Sequence, residues 1–167
     1  MKYWMCYEMK MGKFRLTEED GKLIEVSYIQ ENMNGEDSKK VDSECVNEET
    51  ALLIKTKKEL EEYFQGTRKE FDIPLAPEGT EFQKKVWKAL HDIPYGATCS
   101  YKDIAIRIGD EKSCRAVGMA NNRNPIMIIV PCHRVIGKNG KMVGYGAGIT
   151  MKESLLALEK MHNKSSN

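Results

Sequence analysis

The sequence predicts an α+β protein, with a small strand-bearing N-terminal part followed by a mostly helical C-terminal part. Three observations lead there. Residues 1–30 read as strands, in which Gly12–Leu16 and Leu23–Ile29 flank Glu19-Asp20-Gly21, an Asp-Gly turn signal between apolar stretches. Beyond residue 79, side-chain caps and apolar residues at helical spacing recur. Between these regions, Thr67–Gly79 is punctuated by Pro74, Pro77 and Gly79, so it reads as extended chain and sets a boundary between domains 1–77 and 78–167.

The elements follow in order. Glu31–Cys45 is polar and aperiodic and reads as a loop. Glu48–Gln65 places Leu52, Leu53, Leu60, Tyr63 and Phe64 among charges and stops at Gly66, which predicts an amphipathic helix. Thr80 with Gln83 forms a capping box for a helix running to about His91, with Phe82, Val86, Trp87 and Leu90 on its apolar face. Ser100 opens a short helix, Tyr101–Ile108, that ends at Gly109, and Ser113 opens another, Cys114–Asn122. Two short helices joined by Gly109-Asp110-Glu111-Lys112 have the size of a helix-turn-helix, a pattern that many non-binding helical hairpins share. The run Ile126–Val130 predicts a buried strand delivering Pro131-Cys132-His133-Arg134-Val135. The glycines at 137, 140, 144, 146 and 148 would let backbone approach a ligand closely. Thr150 with Glu153 predicts a capped final helix with Leu155, Leu156 and Leu158 toward the core, and the chain frays at residues 164–167.

Composition narrows the function classes. The chain has 167 residues, 41% of them hydrophobic, enough for one buried domain or two small ones. Its apolar run at Ile126–Val130 is far short of the roughly 20 residues of a membrane helix, and the N-terminus carries no signal-peptide core, so a cytoplasmic location is expected. Five cysteines without CxxC spacing and three histidines argue against a disulfide framework or zinc knuckle and for reduced thiols. The net charge of +1 hides an asymmetry: residues 78–167 carry 14 Lys and Arg against 8 Asp and Glu, a net +6, and residues 1–77 carry 12 against 17, a net −5. The asymmetry makes the basic part the candidate for contact with a polyanion, and a chance fluctuation of solvated charge is the alternative reading.

The chemistry centres on Cys132. It follows an apolar run and a proline and precedes a histidine and an arginine, so a thiol there can be rigidly held and activated by nearby positive charge or a base. Taken alone, such a cysteine is more commonly a buried structural one.

The surrounding residues decide between these readings. Pro131-Cys132-His133-Arg134-Val135-Ile136 resembles the active-site signature of the O6-alkylguanine-DNA alkyltransferases (methylated-DNA–protein-cysteine S-methyltransferases). The resemblance extends through Thr80-Glu81-Phe82-Gln83, Ile93-Pro94-Tyr95-Gly96, Ser100-Tyr101, Arg115-Ala116-Val117-Gly118 and Asn124-Pro125, in order and at consistent spacing from Gly79 to about Glu159.

The resemblance implies a small ribonuclease-H-like α/β N-terminal domain packed on a mostly helical C-terminal domain of winged helix-turn-helix type. It further implies a monomer that repairs double-stranded DNA containing O6-alkylguanine through the minor groove, with neither cofactor nor metal. Cys132 would accept the alkyl group once and irreversibly. His133 would take its proton through a water, Glu159 would orient His133, and Tyr101 would donate a proton toward guanine N3. Arg115 would fill the stack vacated by the flipped nucleotide. Ala116 and Gly118 would line the minor-groove face of the recognition helix, and Asn124 would tie that helix to the active-site segment. Lys102 and Lys138, each beside a motif residue, are added as possible phosphate contacts.

This chain departs from many members at Arg123, where they have glycine, at Met127, where they have a second proline, and near Gly146, where they have a small polar residue. These departures bear on pocket shape and alkyl range. Residues 1–77 contain no histidine, so the zinc site of some relatives is not expected. Alternative readings are recognition of alkylated DNA without repair, a helix-turn-helix regulator, and a Cys–His hydrolase. The first is disfavoured because alkyltransferase-like proteins replace the cysteine that is present here.

Overall fold

The computed structural model describes residues 1–30, 44–140, 145 and 147–163, and the chain divides into two compact units, Met1–Pro77 and Glu78–Asn167. Most of the predicted loop at 31–45, the glycines at 144 and 146 and the predicted frayed end lie outside the described residues.

In the first unit, β1 (Lys2–Met9), β2 (Gly12–Glu19) and β3 (Lys22–Ile29) form an antiparallel meander, and β4 (Cys45–Asn47) joins β1 in parallel, giving the order β3-β2-β1-β4. Cys45, assigned to the loop from sequence, begins this strand; a three-residue strand is too short to show alternation. Helix α1 (Ala51–Gln65) packs on the sheet and buries Leu53, Leu60, Tyr63 and Phe64 against Phe14, Leu16, Leu23 and Val26. It starts three residues later than predicted, because the Thr50 side chain accepts from Leu53 N and caps it. It stops at Gly66, whose φ of 82° is the left-handed turn that glycine makes without strain.

In the second unit, α2 (Glu81–His91) has the predicted Thr80–Gln83 capping box. A short parallel pair, β5 (Cys99–Ser100) with β6 (Val135–Ile136), joins the start of α3 (Tyr101–Arg107) to the segment that follows Cys132. Helices α3 and α4 (Cys114–Asn122) pack on each other and on α2 in the predicted helix-turn-helix arrangement. Ser113 does not cap α4, because its hydroxyl donates to Asp110 O at 2.6 Å.

Two sequence expectations fail here. Ile126–Val130 is buried but is not a strand: it closes on itself through Val130 N to Ile126 O at 3.1 Å and Ile129 N to Met127 O at 2.8 Å. Asn124 supplies the bonds a neighbouring strand would have given, accepting from Ile126 N and donating to Val130 O, and Ile128 takes a φ of 71°, a strained value for a β-branched residue. The last helix, α5 (Ile149–Asn163), begins before Thr150, so the Thr150–Glu153 pair caps nothing. Its inner face is Met151, Lys152, Leu155 and Glu159; Leu156 and Leu158 are half-exposed.

Candidate active site and nucleic-acid interface

Pro131 directs the chain into a single 3-10 turn, Cys132–Arg134, that faces α5 and α2. All three residues of the turn are buried: Cys132 is 3% exposed, His133 0% and Arg134 6%. The turn thereby places a thiol, an imidazole and a guanidinium in the interior, where each charge needs a partner.

Glu159 of α5 is that partner. Its Oε2 lies 2.5 Å from His133 Nε2 and 3.1 Å from an Arg134 terminal nitrogen, while its Oε1 accepts from Arg134 Nε at 2.8 Å and from Gly96 N at 3.1 Å. Arg134 is fixed in turn by donating to Ile93 O at 2.6 Å. Burial alone would raise the Glu159 carboxyl, but the hydrogen bonds and charges of His133 and Arg134 outweigh it and bring it down to about 2. Gly96 makes its bond from a φ of 78°, and a side chain there would run into Asn163.

An ionised Glu159 is an acceptor only, so His133 carries its proton on Nε2. Its Nδ1 is buried and has no hydrogen-bond partner among the described residues. Burial lowers the His133 pKa, against the pull of Glu159, and the imidazole is neutral at physiological pH with a basic nitrogen available.

Burial raises the Cys132 thiol pKa, and the polar side chains of Asn124 and Tyr145, the charge of Lys152 and the turn's own backbone oppose the rise. Lys152 is itself 0% exposed and donates to Val135 O at 2.6 Å. Its ammonium is pulled below the usual lysine value by burial and held up by Cys132. Tyr101, first residue of α3, is half-buried, and its phenol is raised by burial and by the charge of Cys132, so the two share one electrostatic environment.

The structure thus gathers Cys132, His133, Glu159, Tyr101 and Asn124 around one buried turn. Arg115 and Ala116 lie elsewhere, on the exposed outer side of α4 with Met119, Asn122 and Arg123. Gly118 is half-buried and faces inward, its absent Cβ 3.8 Å from the Tyr101 ring. Lys102 and Lys138 are exposed and line, with Tyr101, a cleft of about 1010 Å³; Lys102 pairs with Glu111 at 3.6 Å. Met127 is buried and Arg123 ends α4. Sequence reading passed over Arg134, Lys152, Tyr145 and Asn121. Arg134 stood within the motif, but its role needed the distant Glu159 to be visible.

Comparison with known proteins agrees over both units. The family model of the 6-O-methylguanine DNA methyltransferase ribonuclease-like domain matches residues 2–77, and that of the DNA binding domain matches residues 81–161. A methylated-DNA–protein-cysteine methyltransferase of Methanosarcina acetivorans is 51% identical over 158 residues, spanning 94% of this chain and 97% of the relative. The chain belongs to the methylated-DNA–protein-cysteine methyltransferase family. A constitutive family member from Bacillus subtilis is 43% identical over 165 residues, 98% of this chain and 99% of that one. Among solved family structures, Mycobacterium tuberculosis OGT in complex with DNA superposes with a TM-score of 0.85 at 40% identity, covering 96% of this chain and 94% of that one. The mixed α/β N-terminal sheet and helical C-terminal unit are the fold of this family.

Proposed function

We propose that the protein repairs DNA by moving the methyl group of O6-methylguanine to its own Cys132, once per molecule. The observation that carries this reading is the buried Cys132–His133–Glu159 arrangement, with Nε2 of His133 held by an ionised carboxylate and Nδ1 free of any protein partner among the described residues. A thiol of ordinary pKa near ~8.5, raised further by burial, is protonated at neutral pH and needs such a base.

In the reaction, His133 takes the thiol proton through a water. The Cys132 sulfur attacks the methyl carbon, the carbon–O6 bond breaks, and its electron pair leaves with the guanine. Tyr101 donates a proton toward N3, so that guanine departs neutral. The product is a thioether, whose carbon is a poor electrophile, and the reaction stops after one turnover. Because a base inside a duplex cannot reach a buried thiol, the nucleotide rotates out of the stack. The exposed side of α4 supports DNA contact by Arg115 and Ala116, and Asn124 ties α4 to the active-site turn. Lys102 and Lys138 remain candidates for phosphate contact. No helix among the described residues is long and apolar enough to cross a membrane, and a reaction that needs a reduced thiol suits the cytoplasm.

Intact-mass spectrometry after incubation with a duplex holding one O6-methylguanine tests the reading, with Cys132→Ala alongside. One added methyl, mapped to Cys132 and absent from the variant, is the expected result. Unchanged mass with preferential binding of the damaged duplex would point instead to recognition without repair.

A further inference from the structure

Asn121 has no place in the proton relay, yet it is the residue of α4 that reaches the reactive cysteine. It is 1% exposed and lies on the inner face of the helix whose outer face carries Arg115 and Ala116. Its Nδ2 donates to the carbonyl oxygen of Cys132 at 3.4 Å. Its Oδ1 is buried and has no hydrogen-bond partner among the described residues.

An asparagine with an orphaned carbonyl is a poor packing residue, because a leucine of similar volume fills the same space and leaves no unpaired acceptor. What leucine cannot do is donate to Cys132. That carbonyl also accepts the Val135 N–H, but this bond is internal to the active-site segment and closes its 3-10 turn. The Asn121 bond is the one that ties the carbonyl to α4. Neighbouring links serve other atoms: Asn124 holds Ile126 and Val130, and Trp87 Nε1 holds Ala120 O at 2.9 Å.

We propose that Asn121 is a positioning residue for alkyl transfer, which locks the Cys132 peptide to α4 and so governs the rate of transfer rather than the affinity for DNA. The inference rests on the alkyl-transfer reading. Displacement at carbon needs sulfur, carbon and O6 nearly in line, and the peptide plane of Cys132 sets where its sulfur can point. Small misplacements of a reacting group lower rates steeply. Helix α4 is packed on α2 and α3, and the Asn121 bond carries that constraint to the thiol with or without DNA.

The test uses full-length Asn121→Leu and Asn121→Asp. Single-turnover transfer is measured from an O6-methylguanine duplex and from free O6-benzylguanine base, together with duplex Kd and Tm. The expected result is a rate at least about tenfold lower on both substrates, an unchanged Kd, and for Asn121→Leu a Tm equal to or above that of the unaltered protein. The nearly isosteric Asp cannot donate and repels the carbonyl, so it slows transfer as well. Unaltered rates in both variants overturn the inference, and so does a loss of rate matched in both by lost affinity and lower Tm, which marks a packing residue. The unaltered protein run alongside separates the two levels: if it transfers nothing, the function itself fails.

Discussion

Arg134 grips the carboxylate of Glu159 with two of its nitrogens, Nε at 2.8 Å and a terminal nitrogen at 3.1 Å, and both residues are buried. Removing one member of such a pair strands the other charge, at a typical loss of about 3–5 kcal/mol. Arg134→Met is therefore expected to lower the unfolding free energy by about that much in urea. The pH dependence has a definite sign. Glu159 has its folded pKa depressed from 4.5 to about 2, so its contribution is present above the unfolded value and is lost as pH falls through that interval. The unaltered protein should lose about 3 kcal/mol over this range on that account, and Arg134→Met should lose less. Parallel stability curves for the two proteins would refute the assignment.

His133 supports a kinetic prediction. Its pKa is lowered by burial, so the neutral base persists to more acid pH than a free imidazole, and transfer should hold its rate below pH 6.5 before falling. If His133 is the base proposed above, His133→Gln should slow transfer at neutral pH by about 10²–10⁴-fold. Raising the pH should restore part of the rate as the thiol ionises unaided. A variant with the same pH profile as the unaltered protein would show that the thiol is deprotonated by another route.

Local chemistry was legible in the sequence, and long-range polar pairing was not. The Thr80 and Ser100 caps are written within four residues, and both form capping boxes in the structure. The apolar run Ile126–Val130 reads as a strand only if its partners are backbone, whereas here the Asn124 side chain supplies them. On α5, periodicity treats ionisable residues as surface, so Leu156 and Leu158 were favoured over Lys152 and Glu159, which the structure buries. Those two are tolerated inside because Val135 O, His133, Arg134 and Gly96 N satisfy them. Glu159 entered the site through family resemblance alone, since nothing within 26 residues of His133 marks the pairing.

Alkylation should weaken the second unit. Cys132 is 3% exposed in a packed turn, and adding a methyl group to a filled site costs roughly 1–3 kcal/mol. It also removes the thiol that Asn124 and Tyr145 address. Differential scanning calorimetry before and after stoichiometric reaction should show a lower Tm for the alkylated protein. Equal values would mean that the site holds spare volume.

Gly118 allows stability and binding to be separated. A Cβ there meets two Tyr101 ring carbons at 3.8 Å, an ordinary contact, and alanine is favoured over glycine inside a helix by up to about 1 kcal/mol. Gly118→Ala should therefore raise the Tm of the free protein while lowering its affinity for duplex, if the small residue serves close approach in the minor groove. Full affinity with raised stability would remove Gly118 from the contact set and leave it as spacing for Tyr101.

Arg115 is exposed on the outer side of α4, away from the buried turn, so its contribution should depend on DNA structure and not on the chemistry at Cys132. Extruding a stacked base costs a few kcal/mol, and a side chain that fills the gap returns part of that cost. Arg115→Ala is expected to slow transfer from an O6-methylguanine duplex by at least about tenfold, while transfer from free O6-benzylguanine proceeds at the unaltered rate. Placing the damaged base in a mismatch, where it is already poorly paired, should recover much of the loss. The three substrates separate the possibilities: an equal deficit on all of them would mean that the substitution disturbs the cysteine site, and a deficit on both duplexes alone would reduce Arg115 to a general phosphate contact.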